Sequence, residues 1–157
     1  MEAHLVGEKE EDIVLSFQGT IPVIDKTGAN PPETITLNPS SVKVDFLGDI
    51  DGVGLNVFRH SITHNQDTVL QLEFYAPLSV TEKAPSGTYQ FSGTNTYALV
   101  PASTDNGLFR GAWFADVNGN KPIIKGQVLI LQNDGKQSFQ CRLIDETGRI
   151  IDVNYAH

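Results

Sequence analysis

Residues 108–155 read LFRGAWFADVNGNKPIIKGQVLILQNDGKQSFQCRLIDETGRIIDVNY, and this stretch decides the fold. Three turn signals punctuate it: Asn118-Gly119, Asp134-Gly135 and Thr147-Gly148. Asn-Gly and Asp-Gly suit a two-residue hairpin, because both central positions of a type I′ turn need positive φ, which Asn, Asp and Gly tolerate best. Between the turns, Phe139, Cys141 and Leu143 alternate with Gln140 and Arg142, and Ile151, Val153 and Tyr155 alternate with Asp152 and Asn154. A period of two marks strands with one packed and one wet face, so the pattern predicts four consecutive antiparallel strands. Such a meander must curl or pair at its ends to hide its edges.

Upstream, the same alternation recurs at Val42, Val44 and Phe46 against Lys43 and Asp45. Two longer runs, Leu55 to Ile62 and Thr68 to Tyr75, flank the polar turn His64-Asn65-Gln66-Asp67 and read as a second hairpin. Tyr89 and Phe91, then Tyr97 and Leu99, give short strands, and Pro101 to Gly107 reads as a loop. Residues 25–32 hold Gly28, Asn30 and Pro31-Pro32, all breakers of regular pairing, and residues 76–87 form the crossing between the halves. Residues 1–12, with Glu8, Glu10, Glu11 and Asp12 around Lys9, are expected to be a mobile acidic lead-in. The first strand is then expected at Ile13 to Phe17, followed by a short apolar run at Ile21 to Ile24. These readings predict one all-β domain over residues 13–157. It is expected to be a single antiparallel barrel of the calycin or lipocalin meander type, or a strongly curled sandwich, of about 8–10 strands.

The totals narrow the function. The formal charge of −8 repels phosphate backbones, which argues against nucleic acid as a partner. No apolar run reaches transmembrane length, and Met1 is followed by Glu-Ala-His rather than a basic, then apolar, leader. One cysteine, Cys141, excludes an internal disulfide framework and a thiolate cluster; on its alternating strand it reads as a small core residue.

Asp45, Asp49 and Asp51 sit in Asp-Phe-Leu-Gly-Asp-Ile-Asp-Gly, which has part of the spacing of a calcium loop. With Gly52 at the sixth position, however, the first and twelfth fall on Leu47 and Phe58, neither of which ligates calcium, so an acidic turn is the expectation. His60 and His64 would share a zinc ion on a helix; on a strand they stand roughly 13 Å apart. Neither a metal site nor a cofactor is therefore expected. Tyr97, Trp113 and Tyr155 are the candidate ligand-binding residues, as aromatics able to line a cavity or form a platform for a glycan or a small apolar molecule. No nucleophile elbow or phosphate loop is present, and an enzyme using paired carboxylates is the competing class.

Three elements of the second half carry a resemblance: Pro85-Ser86-Gly87-Thr88-Tyr89, Ile124-Lys125-Gly126-Gln127-Val128, and Phe139 to Gly148 with its Asp145-Glu-Thr-Gly148 ending. Their cadence resembles that of small extracytoplasmic β-barrel lipoproteins of Bacteroidetes. The resemblance implies a location in the periplasm or at the cell surface, and leaves open whether a segment outside this sequence bears a lipid anchor. It also implies a non-enzymatic binding role, or alternatively a structural or adhesion role with a protein partner.

Overall fold

The computed structural model describes residues 2–6, 12–16 and 32–156. It forms two compact units, divided between Pro31 and Pro32. The first contains a hairpin of β1 (Glu2–Val6) and β2 (Asp12–Ser16), in register from Glu2↔Ser16 to Val6↔Asp12. The expected lead-in thus contains a strand, and the acidic run falls largely between β1 and β2 instead of preceding both. The short apolar run at Ile21 to Ile24 lies outside the described residues.

The second unit is all β among the described residues. Its strands are β3 (Thr34–Leu37), β4 (Ser41–Gly48), β5 (Leu55–His64), β6 (Asp67–Pro77), β7 (Gly87–Gln90), β8 (Ser103–Asp105), β9 (Leu108–Arg110), β10 (Trp113–Asp116), β11 (Gly119–Asn133), β12 (Lys136–Asp145) and β13 (Ile150–Tyr155). Nine of them form one strongly curled half-barrel in the order β3-β13-β12-β11-β10-β6-β5-β4, with β7 also on β11; β8 and β9 form a separate hairpin. The predicted meander is β10 to β13. It begins at Trp113 rather than Leu108, because Gly111 turns the chain where it crosses the 100–101 segment: an added Cβ there would lie 2.0 Å from the Pro101 carbonyl oxygen. The sheet is not wholly antiparallel, since β3 joins β13 in parallel, from Ile150↔Thr34 to Val153↔Leu37.

Turn chemistry sets the hairpins. Asp134 and Gly135 both have positive φ, as expected of type I′. Asn65-Gln66 and Asn106-Gly107 are built the same way, the latter inside the stretch expected to be loop. At Asn118-Gly119 the result differs: Asp116 pairs with Gly119, and only Gly119 has positive φ, so the turn centres on Val117-Asn118 with the glycine absorbing the left-handed position.

The long strand β11 changes partner along its length. Residues 119–122 pair with β10, whereas Gln127–Ile130 pair with β7. The change falls at a register shift between Ile123 and Lys125 and at Gly126, where φ is +124° and an added Cβ would lie 2.3 Å from the Arg142 carbonyl oxygen. Only glycine permits that close approach.

Inside the curl, Phe58, Phe74, Tyr89, Leu99, Ile130, Leu143 and Ile151 are among the fully enclosed side chains. A smaller core of Val57, Tyr75, Ala98 and Val100 lies on the outer face of β5 and β6. There the 97–100 segment adds to β6 through Tyr75 N–H to Ala98 O (2.9 Å) and Val100 N–H to Glu73 O (2.9 Å), which brings Ala98 and Val100 into this cluster, and Leu47 and Leu55 pack against it.

Candidate functional site

Where the sheet fails to close, β4 faces β12 and β13 across a cleft of about 410 Å³. Val42 and Val44 form one wall, Phe139 and Tyr155 the other, and Glu82, Lys83, Lys136 and Gln137 make the polar part of the lining. The alternation that places the valines on the packed side of β4 and Phe139 and Tyr155 on the packed side of β12 and β13 is what makes the walls apolar. The Phe139 and Tyr155 rings meet at 5.6 Å.

The loop between β6 and β7 closes the near end of this cleft. Asn56, buried in β5, donates to the carbonyls of Leu78 (3.1 Å) and Val80 (2.9 Å). Lys83 Nζ donates to Gly135 O at 2.7 Å, and the carbonyl of buried Ala84 accepts from the side-chain amides of Gln132 and Gln137. Gln137 in turn accepts at 2.8 Å from Nε2 of His60, which is enclosed against the edge of the Phe74 ring. With the amide oxygen accepting, this bond calls for a proton on Nε2, and burial disfavours a second one on the ring, pushing the His60 pKa down to about 4 against the smaller upward pull of Gln137.

The three aromatic candidates do not converge. Tyr155 lines the cleft, whereas Trp113 stands opposite Gln71 on the outer face, meets Phe109 edge-on with ring centroids 4.8 Å apart and donates its indole N–H to Arg110 O at 2.6 Å. Tyr97, 40% exposed, lies over Gly87, where an added Cβ would be 2.8 Å from its ring. It holds φ +65°, uncommon for an aromatic residue, because its N–H bonds to Tyr75 O and its carbonyl to the Gln90 N–H as the chain passes between β6 and β7.

The three aspartates likewise go to separate tasks. Asp45 pairs with Lys43 at 2.8 Å, and Asp49 accepts the backbone N–H groups of Val53 and Gly54 at 2.9 Å each. Asp51 accepts from the Tyr75 hydroxyl (2.8 Å) and pairs with Arg110 (3.0 Å). Among the described residues, no three His, Cys, Asp or Glu gather where one metal ion could be held. His60 turns inward and His64 bonds to Asn38 O, and buried Cys141 has its thiol pushed up to about 12 by burial.

Two buried carboxylates were not legible in the sequence. Glu73, fully enclosed on the outer face of β6, accepts from both Arg59 and Arg110. Arg110 continues to Asp51 and Tyr75, so one charge network staples the β8–β9 hairpin and the acidic turn onto the sheet. Asp145 centres a second network, accepting from Thr147 N–H and hydroxyl and from Arg149, whose guanidinium also reaches Asp116 and lies 5.3 Å over the Phe114 ring. Burial pushes the Asp145 carboxyl up, but the hydrogen bonds from Thr147 and Arg149 outweigh it and hold it below the usual carboxylate range.

A second hollow, about 460 Å³, runs across the outer face of β11, β12, β13 and β3. It is lined by Thr36, Gln127, Gln140, Arg142, Asp152 and Asn154, with Arg142 paired to Asp152 at 3.0 Å. No family model, curated protein or solved structure matches the chain.

Proposed function

We infer that the chain is a non-enzymatic extracytoplasmic binding module that takes a small ligand with an apolar face into the cleft between β4 and β12–β13. The observation that carries this reading is the apolar pairing of Val42 and Val44 with Phe139 and Tyr155 around a space of about 410 Å³. Ligand pockets combine such walls with a few polar groups that set orientation; here Lys83, with one of its three ammonium donors given to Gly135 O, stands beside Glu82 and Lys136. The outer hollow suits this less well, because its charges already satisfy each other. The competing carboxylate chemistry needs an acid whose pKa is raised; Asp116 and Asp145 are instead held low by their hydrogen bonds and by Arg149. The extracytoplasmic placement rests on the cadence of Gly87, Gly126 and Asp145-x-x-Gly148.

A thermal-shift series with fatty acids, small aromatic compounds and oligosaccharides tests the reading. A ligand at about a hundred times its Kd adds roughly 2.7 kcal/mol of stability. The shift should vanish in Val44→Glu, which places a carboxylate on the cleft wall. Persistence of the shift in that variant, or silence across the series, refutes the assignment.

A further inference from the structure

Among the described residues, the same seam leaves one side of β4 without a pairing strand. Its inner neighbour is β5, in register from Ser41↔Thr63 to Gly48↔Val57, and no described strand lies on its other side. Eight residues of edge backbone offer a row of N–H and C=O groups, which is a template for another strand. Protected edges carry a proline, a central bulge or an inward-pointing charge. Here Pro39 precedes the strand, the register shift falls at its far end between Phe46 and Gly48, and the packed side carries Val42, Val44 and Phe46. Lys43 is the kind of residue that guards an edge, yet Asp45 neutralises it from the same side of the same strand, with Nζ 2.8 Å from Oδ1.

We propose that β4 pairs with β4 of a second copy, antiparallel about a twofold axis through Val44. In that register Val44 stands opposite its own symmetry mate, Val42 opposite Phe46, and Lys43 opposite Asp45, the last two contacts each made twice. Charge selects this alignment over its neighbours. Sliding two residues one way sets Lys43 against Lys43, and sliding the other way sets Asp45 against Asp45; a one-residue slip turns the valines toward the charged face. Such an interface is isologous and closes on itself as a dimer. Phe46 supplies a further reason: it stands on the packed side, touches Phe58 at 5.3 Å, and is still 45% exposed, a surface that Val42 of a second copy would cover. The pairing does not rest on the ligand reading, since it uses the edge of β4 and is tested without ligand.

Sedimentation velocity over a concentration series should show the unaltered protein in monomer–dimer exchange. Lys43→Asp and Asp45→Lys each create two like-charged pairs across the interface and should raise the dimer Kd roughly tenfold or more. An equimolar mixture of the two variants should restore the dimer, because every facing pair is then of opposite sign. Val44→Cys should give a disulfide-linked dimer under mild oxidation, since facing Cβ atoms lie about 4.5 Å apart or closer in a non-hydrogen-bonded pair, at the upper end of what a disulfide spans, whereas Lys43→Cys, diagonal to its mate at roughly 7–8 Å, should not. A monomer at the highest soluble concentration, a dimer indifferent to both charge reversals, or a mixture that stays monomeric overturns the proposal. The cysteine pair gives the answer independently if either charge variant fails to fold.

Discussion

Replacing Glu73 with Gln asks how much the outer charge network contributes to holding the β8–β9 hairpin. Glu73 is fully buried and accepts from Arg59 at 2.9 and 2.6 Å and from Arg110 at 3.3 and 3.0 Å. Removing one member of a buried ion pair costs about 3–5 kcal/mol when the charge left behind stays enclosed. The Arg59 and Arg110 side chains are 27% and 20% exposed, so each guanidinium can turn partly to water, and the expected loss falls to about 2–3 kcal/mol. For a unit of this size that corresponds to a fall in Tm of roughly 6–12 °C. Urea unfolding followed by fluorescence reads both the loss and its place, since Trp113 is the only tryptophan and packs on Phe109 of the hairpin. Arg110→Met should cost less in the Glu73→Gln background than in the unaltered protein, because the ion pair it breaks is already gone. A loss below about 0.5 kcal/mol with an unchanged urea slope, or two losses that simply add, would refute the reasoning.

Three more expectations follow from local geometry. His60 is neutral in the fold with its pKa near 4 against an ordinary value of 6.5, so the unfolded chain binds the extra proton between those values. This part of the stability is present above pH 6.5 and lost as pH falls toward 4, at about 1.4 kcal/mol per pH unit, and a pH series of denaturation curves should lose that slope in His60→Gln. Gln66 holds φ +75° in its type I′ turn, so Gln66→Gly should raise stability by about 0.5–1 kcal/mol in urea; a decrease would show that its side chain contributes something unseen. Gly87→Ala drives a Cβ to 2.8 Å from the Tyr97 ring and should cost about 1–3 kcal/mol, and calorimetry should find most of that cost gone when Tyr97→Ala is already present.

The strands were legible where periodicity and turn chemistry agreed, as from Lys136 to Tyr155, whose two strands flank a turn residue of known preference. The Asn106-Gly107 hairpin was missed despite its turn dipeptide, because the strands beside it are three residues long and too short to show alternation. Parallel pairing of β3 with β13 leaves no local mark, since no turn joins the two. Glu73 illustrates why the site was harder: it alternates with the buried Leu72 and Phe74 and so stands on the outer face of β6, where a carboxylate would normally be wet. Only the return of residues 97–110 over that face, bringing Arg110, makes it dry. Val42, Val44, Phe139 and Tyr155 were each read correctly as packed-face residues, but their meeting across a seam depends on how far the sheet curls, a global quantity that no window of sequence contains. The cadence at Gly87, Gly126 and Asp145-x-x-Gly148 marks the ring contact of Tyr97, the bend of β11 and the capped turn before β13. It therefore speaks to the scaffold.

The parallel joint between β3 and β13 also sets a timetable. A ribosome releases Thr34–Leu37 long before Ile150–Val153, on the order of ten seconds earlier at ordinary elongation rates. During that interval the β4–β5–β6 hairpins can form from neighbouring sequence, while β13, the described partner of β3, is still to be made. Assembly of this sheet is completed after translation has passed β13, and a stalled or truncated nascent chain would display β3 and the inner side of β4 to whatever chaperone is present.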